Sequence, residues 1–570
     1  MDEQIQSTLE RSGTWWRNFS GVLLVCGLLY FTLLGSRAIW SEELRWVQIP
    51  REMIIKQDYF SPTINGKSYY DKPLGSYWLV ILASYFTNGV NETASRIPCA
   101  ISGLIAVAFT MLIARRFYPA KVALASGIIL GTCHSFVFFS RHASTDIETI
   151  AGVLACLWLF LKNQSMARGN WVFLFWILMA LTSLTKGLLG FVLPGLICMV
   201  YSTARQFSAM AQEQTSLGKL RSLLEANAWL FQSRTFFAIP LAILIYLTPF
   251  LVSIFLFQDS NGLGMVWREN IRRFYDPVNH KGPVYLYLGV IFILPFPWSL
   301  FLPAALYQSF TQKTSAIIGR SNHLFALCYF LSVFIFFSLA SSRRSYYLLP
   351  ILPSVAWLVA GFFFSNREDW NRTARFLNNL GICALLICAM VMFVGGTLGT
   401  SILPAPWNLH PPPVHAWILS FVGTITFLAI VISQRMPIRF STIIPAIIFA
   451  FGSMSYLFLI YFPWAEEFRT QRNFASKTRN LVQEMPAQLA YYRTREAVYY
   501  LGYEFPVQEY YTPETLLNSV SQGKTRWLIL KQRDLSQISM PFTLLAQEEL
   551  FPWEKEQSSS KLQLIELGAK

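Results

Sequence analysis

From about residue 20 to residue 463 the chain alternates between long apolar blocks and short polar connectors, and then turns polar to its end. Fourteen apolar stretches can be marked, near 20–40, 76–90, 95–115, 120–140, 146–162, 170–185, 187–203, 236–257, 284–306, 322–341, 346–365, 376–396, 414–433 and 440–462. About 20 apolar residues cross the hydrocarbon core of a bilayer, so the pattern predicts a polytopic all-α membrane protein. The stretch 76–90 stands apart, because it is short and carries Tyr77, Trp78 and Tyr85, as helices lying in the membrane interface do. Laying it on the outer surface puts Arg115, Arg116, Lys121, the basic 204–235 connector and Arg435 on the same side as Arg11 and Arg17. That arrangement obeys the inward bias of basic residues in short loops. The expectation is thirteen transmembrane helices within residues 1–463, with the N-terminus cytoplasmic, the C-terminus outside, and an outer-surface loop with interfacial helices over 41–90. The first stretch is too long for the core of a signal peptide and lacks a clear small-residue cleavage site, which makes it an uncleaved span.

The polar tail, residues 464–570, reads differently. Thr512-Pro513-Glu514 is a helix start, with Thr as cap and Pro in the first turn, and the helix should stop near Gly523. Runs at 488–492, 506–511, 526–530 and 562–567 have strand character. A small α/β domain outside the cytoplasm is expected, with no nucleotide loop and no catalytic motif of its own.

Composition sharpens the class. Of 570 residues, 54% are hydrophobic and 14% charged, against about 25% charged in soluble domains. The net charge of +15 is spread over membrane-flanking loops, which excludes nucleic acid as the partner it would otherwise imply. The eight cysteines lie in or beside apolar stretches without a CxxC pair, so neither a disulfide framework nor a zinc ribbon is indicated.

The outward loops then hold an unusual set of charges: Glu42, Glu43, Arg45, Lys72, Arg141, Asp146, Lys186, Arg268, Arg273, Arg343 and Arg344 among them. Cations gathered on one face against the usual bias fit a phosphate at headgroup level, although each alone is equally a snorkelling side chain. Glu42 and Arg45 can share a helix face, and the bland alternative for them is an exposed ion pair. Asp146 begins a span, where it serves equally as a helix cap. The functional reading makes one carboxylate a general base, with Lys72, Lys186, Arg273 and Tyr347 around a phosphate leaving group. Lys186 interrupts an apolar run, a costly position unless it is used. No His, Asp or Glu pair has metal-ligand spacing, and Asp71 is the single weak candidate ligand. A divalent ion is compatible with the sequence without being required by it.

The order of these pieces resembles a known family. Glu42-Glu43-Leu44-Arg45, Arg51-Glu52-Met53, Asn65-Gly66 and Tyr70-Asp71-Lys72-Pro73 are similar to the first outer loop of the bacterial lipid A aminoarabinose transferases, relatives of the protein O-mannosyltransferases. Ala94-Ser95-Arg96-Ile97-Pro98, Ser140-Arg141 through Asp146, Leu184-Thr185-Lys186-Gly187, Glu269 through Arg273 and Arg343-Arg344-Ser345-Tyr346-Tyr347 continue the match to about residue 360. Glu42 stands where the family usually has Asp, and Asp71 where it often has Glu. The resemblance implies an inverting glycosyltransferase of the inner membrane. It would move a sugar from a polyprenyl-phosphate donor to lipid A or another envelope glycan on the periplasmic side. It further implies Glu42 and Asp146 as the acidic pair, and Glu43, Arg45, Lys72, Lys186, Arg273 and Tyr347 around the donor. A protein O-mannosyltransferase-like enzyme and a lipid-linked sugar transporter stay open as alternatives. Against the transporter stand the missing internal repeat and charges lying at one surface.

Overall fold

A computed structural model describes residues 2–163, 170–212, 215–268, 272, 282–311, 320–365, 368, 370–398, 412–433, 442–466, 470–482, 485–502, 506–549 and 560–568. The architecture is a bundle of helices capped by a mixed sheet. Among the described residues six helices are long and apolar enough to cross a membrane, or seven with one bent pair counted as a single span. They are Glu92–Phe117, Ser233–Phe257, Ser345–Phe364, Arg372–Thr397, Pro413–Ser433 and Ile443–Ala465. The helix Gly75–Ser84 has 10 residues, about 15 Å of rise, half of what a crossing needs. That length agrees with an interfacial position.

Two stretches expected as single spans are interrupted. Residues 120–140 form Ala120–Thr132 and His134–Ser140, bent by 67°. At the break the His134 amide leaves the helical ladder and donates to the Phe296 carbonyl at 2.8 Å, while Trp298 Nε1 donates to Thr132 Oγ1 at 3.0 Å. Residues 284–306 divide into Leu286–Ile293 and Leu302–Thr311 around Pro295 and Pro297, where the missing amides stop the ladder. The first helix, Asp2–Phe31, ends short of Trp40. Two buried arginines take up carbonyls of its last turn and of the residues beyond it. Arg141 donates to the carbonyls of Leu29, Tyr30 and Thr32, and Arg96 to those of Leu34, Arg37 and Ala38. Cations at a helix C-terminus satisfy orphan acceptors and complement the helix dipole. Arg141, counted in the sequence among phosphate-binding cations, therefore has a structural task.

The tail carries β3 (Leu489–Tyr492), β4 (Gln508–Tyr510), β5 (Trp527–Lys531), β6 (Phe542–Gln547) and β7 (Leu562–Leu567), while β1 (Thr63–Ile64) and β2 (Lys67–Ser68) form a hairpin in the first outer loop. The sheet order is β4-β3-β5-β7-β6, parallel through β4, β3 and β5 and antiparallel beyond. Helix Pro513–Ser521 starts where the sequence put it, with Thr512 as cap, and Gly523 follows with φ +68°. Strand β6 and the helix Gln471–Val482 were not foreseen. The tail shares a core with the membrane part, since Ile39, Leu44 and Val47 pack with Phe474, Leu489 and Leu562. All eight cysteines are free.

Candidate active site

The first outer loop divides its two glutamates. The short 3-10 turn Ser41–Glu43 feeds the helix Leu44–Lys56, and the turn sends the two carboxylates in different directions. Glu43 is fully buried. Its oxygens accept from Arg96 Nε at 3.0 Å and Nη2 at 2.8 Å, Arg37 Nη2 at 3.2 Å, and the amides of Trp40 at 3.2 Å and Ala143 at 2.9 Å. His142 Nδ1 stands 3.2 Å away. Burial pushes this carboxyl up, yet the Arg96 and Arg37 guanidiniums and His142 outweigh it and hold Glu43 well below the usual carboxylate range. A buried charge needs this degree of pairing. Glu42, its neighbour, is 63% exposed and reaches Arg344 Nη1 at 3.7 Å.

Three segments converge a short distance away. Arg45 forms an ion pair with Asp71, and Lys72 Nζ approaches the same carboxylate at 3.4 Å. Asp146, at the start of the helix Asp146–Asn163, pairs with Lys186 at the end of Trp171–Lys186. Lys186 Nζ lies 5.2 Å from the Tyr347 ring centroid, within cation–π range. Tyr347 packs edge-on against Tyr346 at 5.1 Å, and Arg344 Nη1 donates to the Tyr346 hydroxyl at 2.7 Å. Tyr346 and Tyr347 thus stand between Arg344 and Lys186.

Backbone proximity holds the segments together. A side chain on Gly75 would meet the Leu184 carbonyl at 2.7 Å, so the chain just after Lys72-Pro73 lies against the turn that carries Lys186. Next to it, the Ser76 hydroxyl donates to Glu148, which ties the interfacial helix to the Asp146 helix. A cleft of about 390 Å3 opens beside Asp71, lined by Ser68, Tyr69, Tyr70, Asp71, Asn261 and Arg268. Arg45 Nε and the Tyr77 hydroxyl are buried without a partner among the described residues.

The sheet closes this loop from the other side. Asn65 (φ +54°) and Gly66 (φ +75°) turn the hairpin, conformations that Asn and Gly adopt most readily. Glu52 accepts the amides of Asn65 at 2.6 Å and Gly66 at 3.0 Å. Asn65 then exchanges hydrogen bonds of 2.8 Å with the backbone of Val507 in both directions. Glu509 accepts from Asn65 Nδ2 at 2.5 Å, Lys67 at 2.9 Å and Arg495 at 3.0 Å. Burial opposes the charge of Glu509, but the hydrogen bonds from Tyr511, Asn65 and Lys67 and the Arg495 charge hold its carboxyl below the usual value.

Of the residues expected at the site, Glu42, Arg45, Asp71, Lys72, Asp146, Lys186 and Tyr347 occur in this group, and Glu43 occurs in the separate buried cluster. Arg273 lies outside the described residues. Tyr346, Glu148 and Ser76 were not selected, and Arg268 was counted only among the outward cations; for Tyr346 the signal was its place beside Tyr347, and for Glu148 its position two residues beyond Asp146. No group of three or more His, Cys, Asp or Glu suited to a metal occurs among the described residues. Among the described residues the ion-pair partners of Asp71 are Arg45 and Lys72, which are not metal ligands.

Comparison with known proteins gives this geometry a context. Residues 71–224 match the family model of the dolichyl-phosphate-mannose-protein mannosyltransferases. An uncharacterized protein of Aquifex aeolicus is 26% identical over 82% of this chain and 82% of its own length. The undecaprenyl phosphate-alpha-4-amino-4-deoxy-L-arabinose arabinosyl transferase of Pseudomonas aeruginosa (strain UCBPP-PA14) is 27% identical, and the match covers 67% of this chain and 66% of that protein. The crystal structure of ArnT from Cupriavidus metallidurans bound to undecaprenyl phosphate superposes with a TM-score of 0.66 at 18% identity, over 97% of this chain and 98% of that one, so the two share a fold. The resemblance expected from the motifs is thereby borne out: the chain is similar to membrane glycosyltransferases of this kind in sequence and shares the fold of ArnT.

Proposed function

We propose that this protein transfers a sugar, with inversion, from a polyprenyl-phosphate donor to a hydroxyl of lipid A or another envelope glycan at the periplasmic face of the bacterial inner membrane. The observation that carries the reading is the meeting of Asp71–Arg45 and Lys72 with Asp146–Lys186 around Tyr346 and Tyr347. The proposal keeps the sequence-derived topology of thirteen spans with the N-terminus inside, residues 1–463 as the membrane domain and 464–570 as a periplasmic α/β domain.

In the proposed mechanism Lys72, Arg45, Arg344 and Tyr347 hold the donor phosphate, and the unpartnered Arg45 Nε supplies one further donor. While Lys186 grips Asp146, that carboxylate is unavailable to accept a proton. The donor's phosphodiester, which carries one negative charge, competes for the ammonium, and the shift of Lys186 toward the phosphate frees Asp146 as general base. The acceptor oxygen forms its bond to the anomeric carbon as the bond from that carbon to the phosphate oxygen breaks. The hydroxyl proton passes to Asp146, and the electron pair leaves on polyprenyl phosphate, whose extra negative charge the cations stabilise. Glu42 orients Arg344, and Glu43 acts at a distance by fixing the loop that bears Arg45.

A protein O-mannosyltransferase-like activity is the second reading, supported by the family model over 71–224. Mass spectrometry of membrane lipids from cells lacking the protein tests both. Accumulation of a polyprenyl-phosphate sugar with loss of that sugar from lipid A or another glycan is expected. Loss of the sugar from proteins alone favours the second reading, and unchanged pools in cells without a paralogue overturn the transferase.

A further inference from the structure

Away from the site, the connector between Leu189–Gln212 and Ser233–Phe257 contains a helix of its own, Ser216–Ala226. Its leucines fall at 217, 220, 223 and 224, the spacing of one helical face, and all four are exposed, Leu217 by 79%. Ser222, on the opposite side, is buried, and the cap residue Asn227 ties the end of the helix to the preceding one, its Nδ2 donating to Thr203 Oγ1 at 3.0 Å. Lys219 and Arg221 are exposed on either side of the leucine face. A bare leucine stripe facing water would expose a continuous apolar patch.

The depth of this helix is set by the residue that follows it. Trp229 is buried between Phe160 at 5.5 Å and Phe175 at 5.6 Å. Phe160 belongs to the last turn of Asp146–Asn163, and Phe175 to the first turns of Trp171–Lys186. The helix therefore leaves the protein at the level where two neighbouring apolar helices end, and a buried tryptophan at such a level is typical of the membrane interface. The apolar surface also continues from the leucines through Phe231 to Phe236, 81% exposed, on the following span.

We propose that Ser216–Ala226 is an amphipathic helix lying in the bilayer interface, its leucines among the acyl chains and Lys219 and Arg221 reaching lipid phosphates. The occupant of the leucine face is lipid, because the face is continuous with the lipid-facing surface of an adjoining span and is rimmed by cations. This placement makes no use of the sugar-transfer reading.

The test uses full-length protein in lipid nanodiscs of phosphatidylcholine and phosphatidylglycerol. With the accessible Cys383 and Cys388 replaced by Ser, single cysteines are introduced as Leu220→Cys, Leu217→Cys, Lys219→Cys and Glu225→Cys and spin-labelled. Collision rates with oxygen, which concentrates in lipid, and with a water-soluble nickel complex are then measured. Labels at 217 and 220 should show a several-fold higher oxygen-to-nickel ratio than those at 219 and 225. Equal, nickel-dominated rates at all four positions would place the helix in water and overturn the proposal. Low rates with both reagents at 217 and 220 would mean protein cover, which overturns it as well. Two leucine positions guard against one variant failing to fold.

Discussion

Glu43 and Asp71 both face arginines in the same outer loop, yet they sit in opposite environments. Around Glu43 every oxygen is taken, two guanidiniums and a histidine crowd a site without solvent, and Arg37 stacks on Trp40 at 4.0 Å. Around Asp71 the side chains are about a quarter exposed, a cleft opens alongside, and Arg45 retains an unpartnered donor. Burial and full pairing of the Glu43 carboxylate make the first cluster a structural rivet, although Arg37 Nη1 is left without a partner among the described residues. Partial exposure and the adjoining cleft leave the second, in the proposed mechanism, accessible to an incoming phosphate. On that reading identical residue types divide into frame and machinery according to how far the fold has closed them off from solvent.

Breaking the machinery should have the largest effect on turnover. Asp146→Asn is expected to lower sugar transfer by roughly 10^2- to 10^4-fold, and Lys72→Ala to abolish detectable transfer, with both variants folded and inserted to wild-type levels. Full activity in either, measured on purified protein with a lipid-linked donor, would remove that residue from the site. Breaking the frame should act on folding instead. Glu43→Ala leaves Arg37 and Arg96 buried without their counter-charge, at a cost of about 3–5 kcal/mol, visible as lost thermal stability or lost folded protein in the membrane. A stable Glu43→Ala protein with selectively impaired donor binding would reverse the assignment.

Glu509 offers an intermediate case. Its carboxyl is depressed in the fold, so the stability it contributes is present above the ordinary value of 4.5 and fades as pH falls through the depressed one. Acidification from 4.5 downward should loosen the contact of the hairpin with β4, detected as faster amide exchange at 63–68. Glu509→Gln should weaken the same contact at neutral pH by about 1–3 kcal/mol and flatten the acid response. The smallest effect belongs to Glu42. Its exposed pair with Arg344 is worth under about 1 kcal/mol, so Glu42→Gln should leave melting unchanged and slow transfer less than Asp146→Asn does. Glu42→Asp, which restores the commoner family residue, should retain measurable transfer.

Much of the fold was legible in linear order. Apolar blocks marked the helical segments, the short aromatic stretch marked Gly75–Ser84 as non-spanning in length, and Thr512-Pro513 marked a helix start that the structure contains. The breaks in 120–140 and 284–306 were not legible in the same way. The first depends on the Phe296 carbonyl capturing an amide more than a hundred residues distant, a competition that no local propensity expresses. Strand β6 was missed because four of its six positions are exposed and none is buried, with little alternation to mark it.

The site followed the same division. Residue types and motif order singled out Arg45, Lys72, Asp146, Lys186 and Tyr347, because phosphate chemistry calls for cations and a base, and the structure brings these residues into one group. What the sequence could not determine was which charges are already spent. Glu42 and Glu43 are one residue apart, and only the 3-10 turn decides that one meets water and the other meets Arg96 from a distant helix. Arg141 reads like any outward cation until the end of the first helix presents it with three orphan carbonyls. Charge and periodicity are properties of a chain, whereas the pairing of a charge is a property of what lies opposite, and that is supplied by tertiary contact.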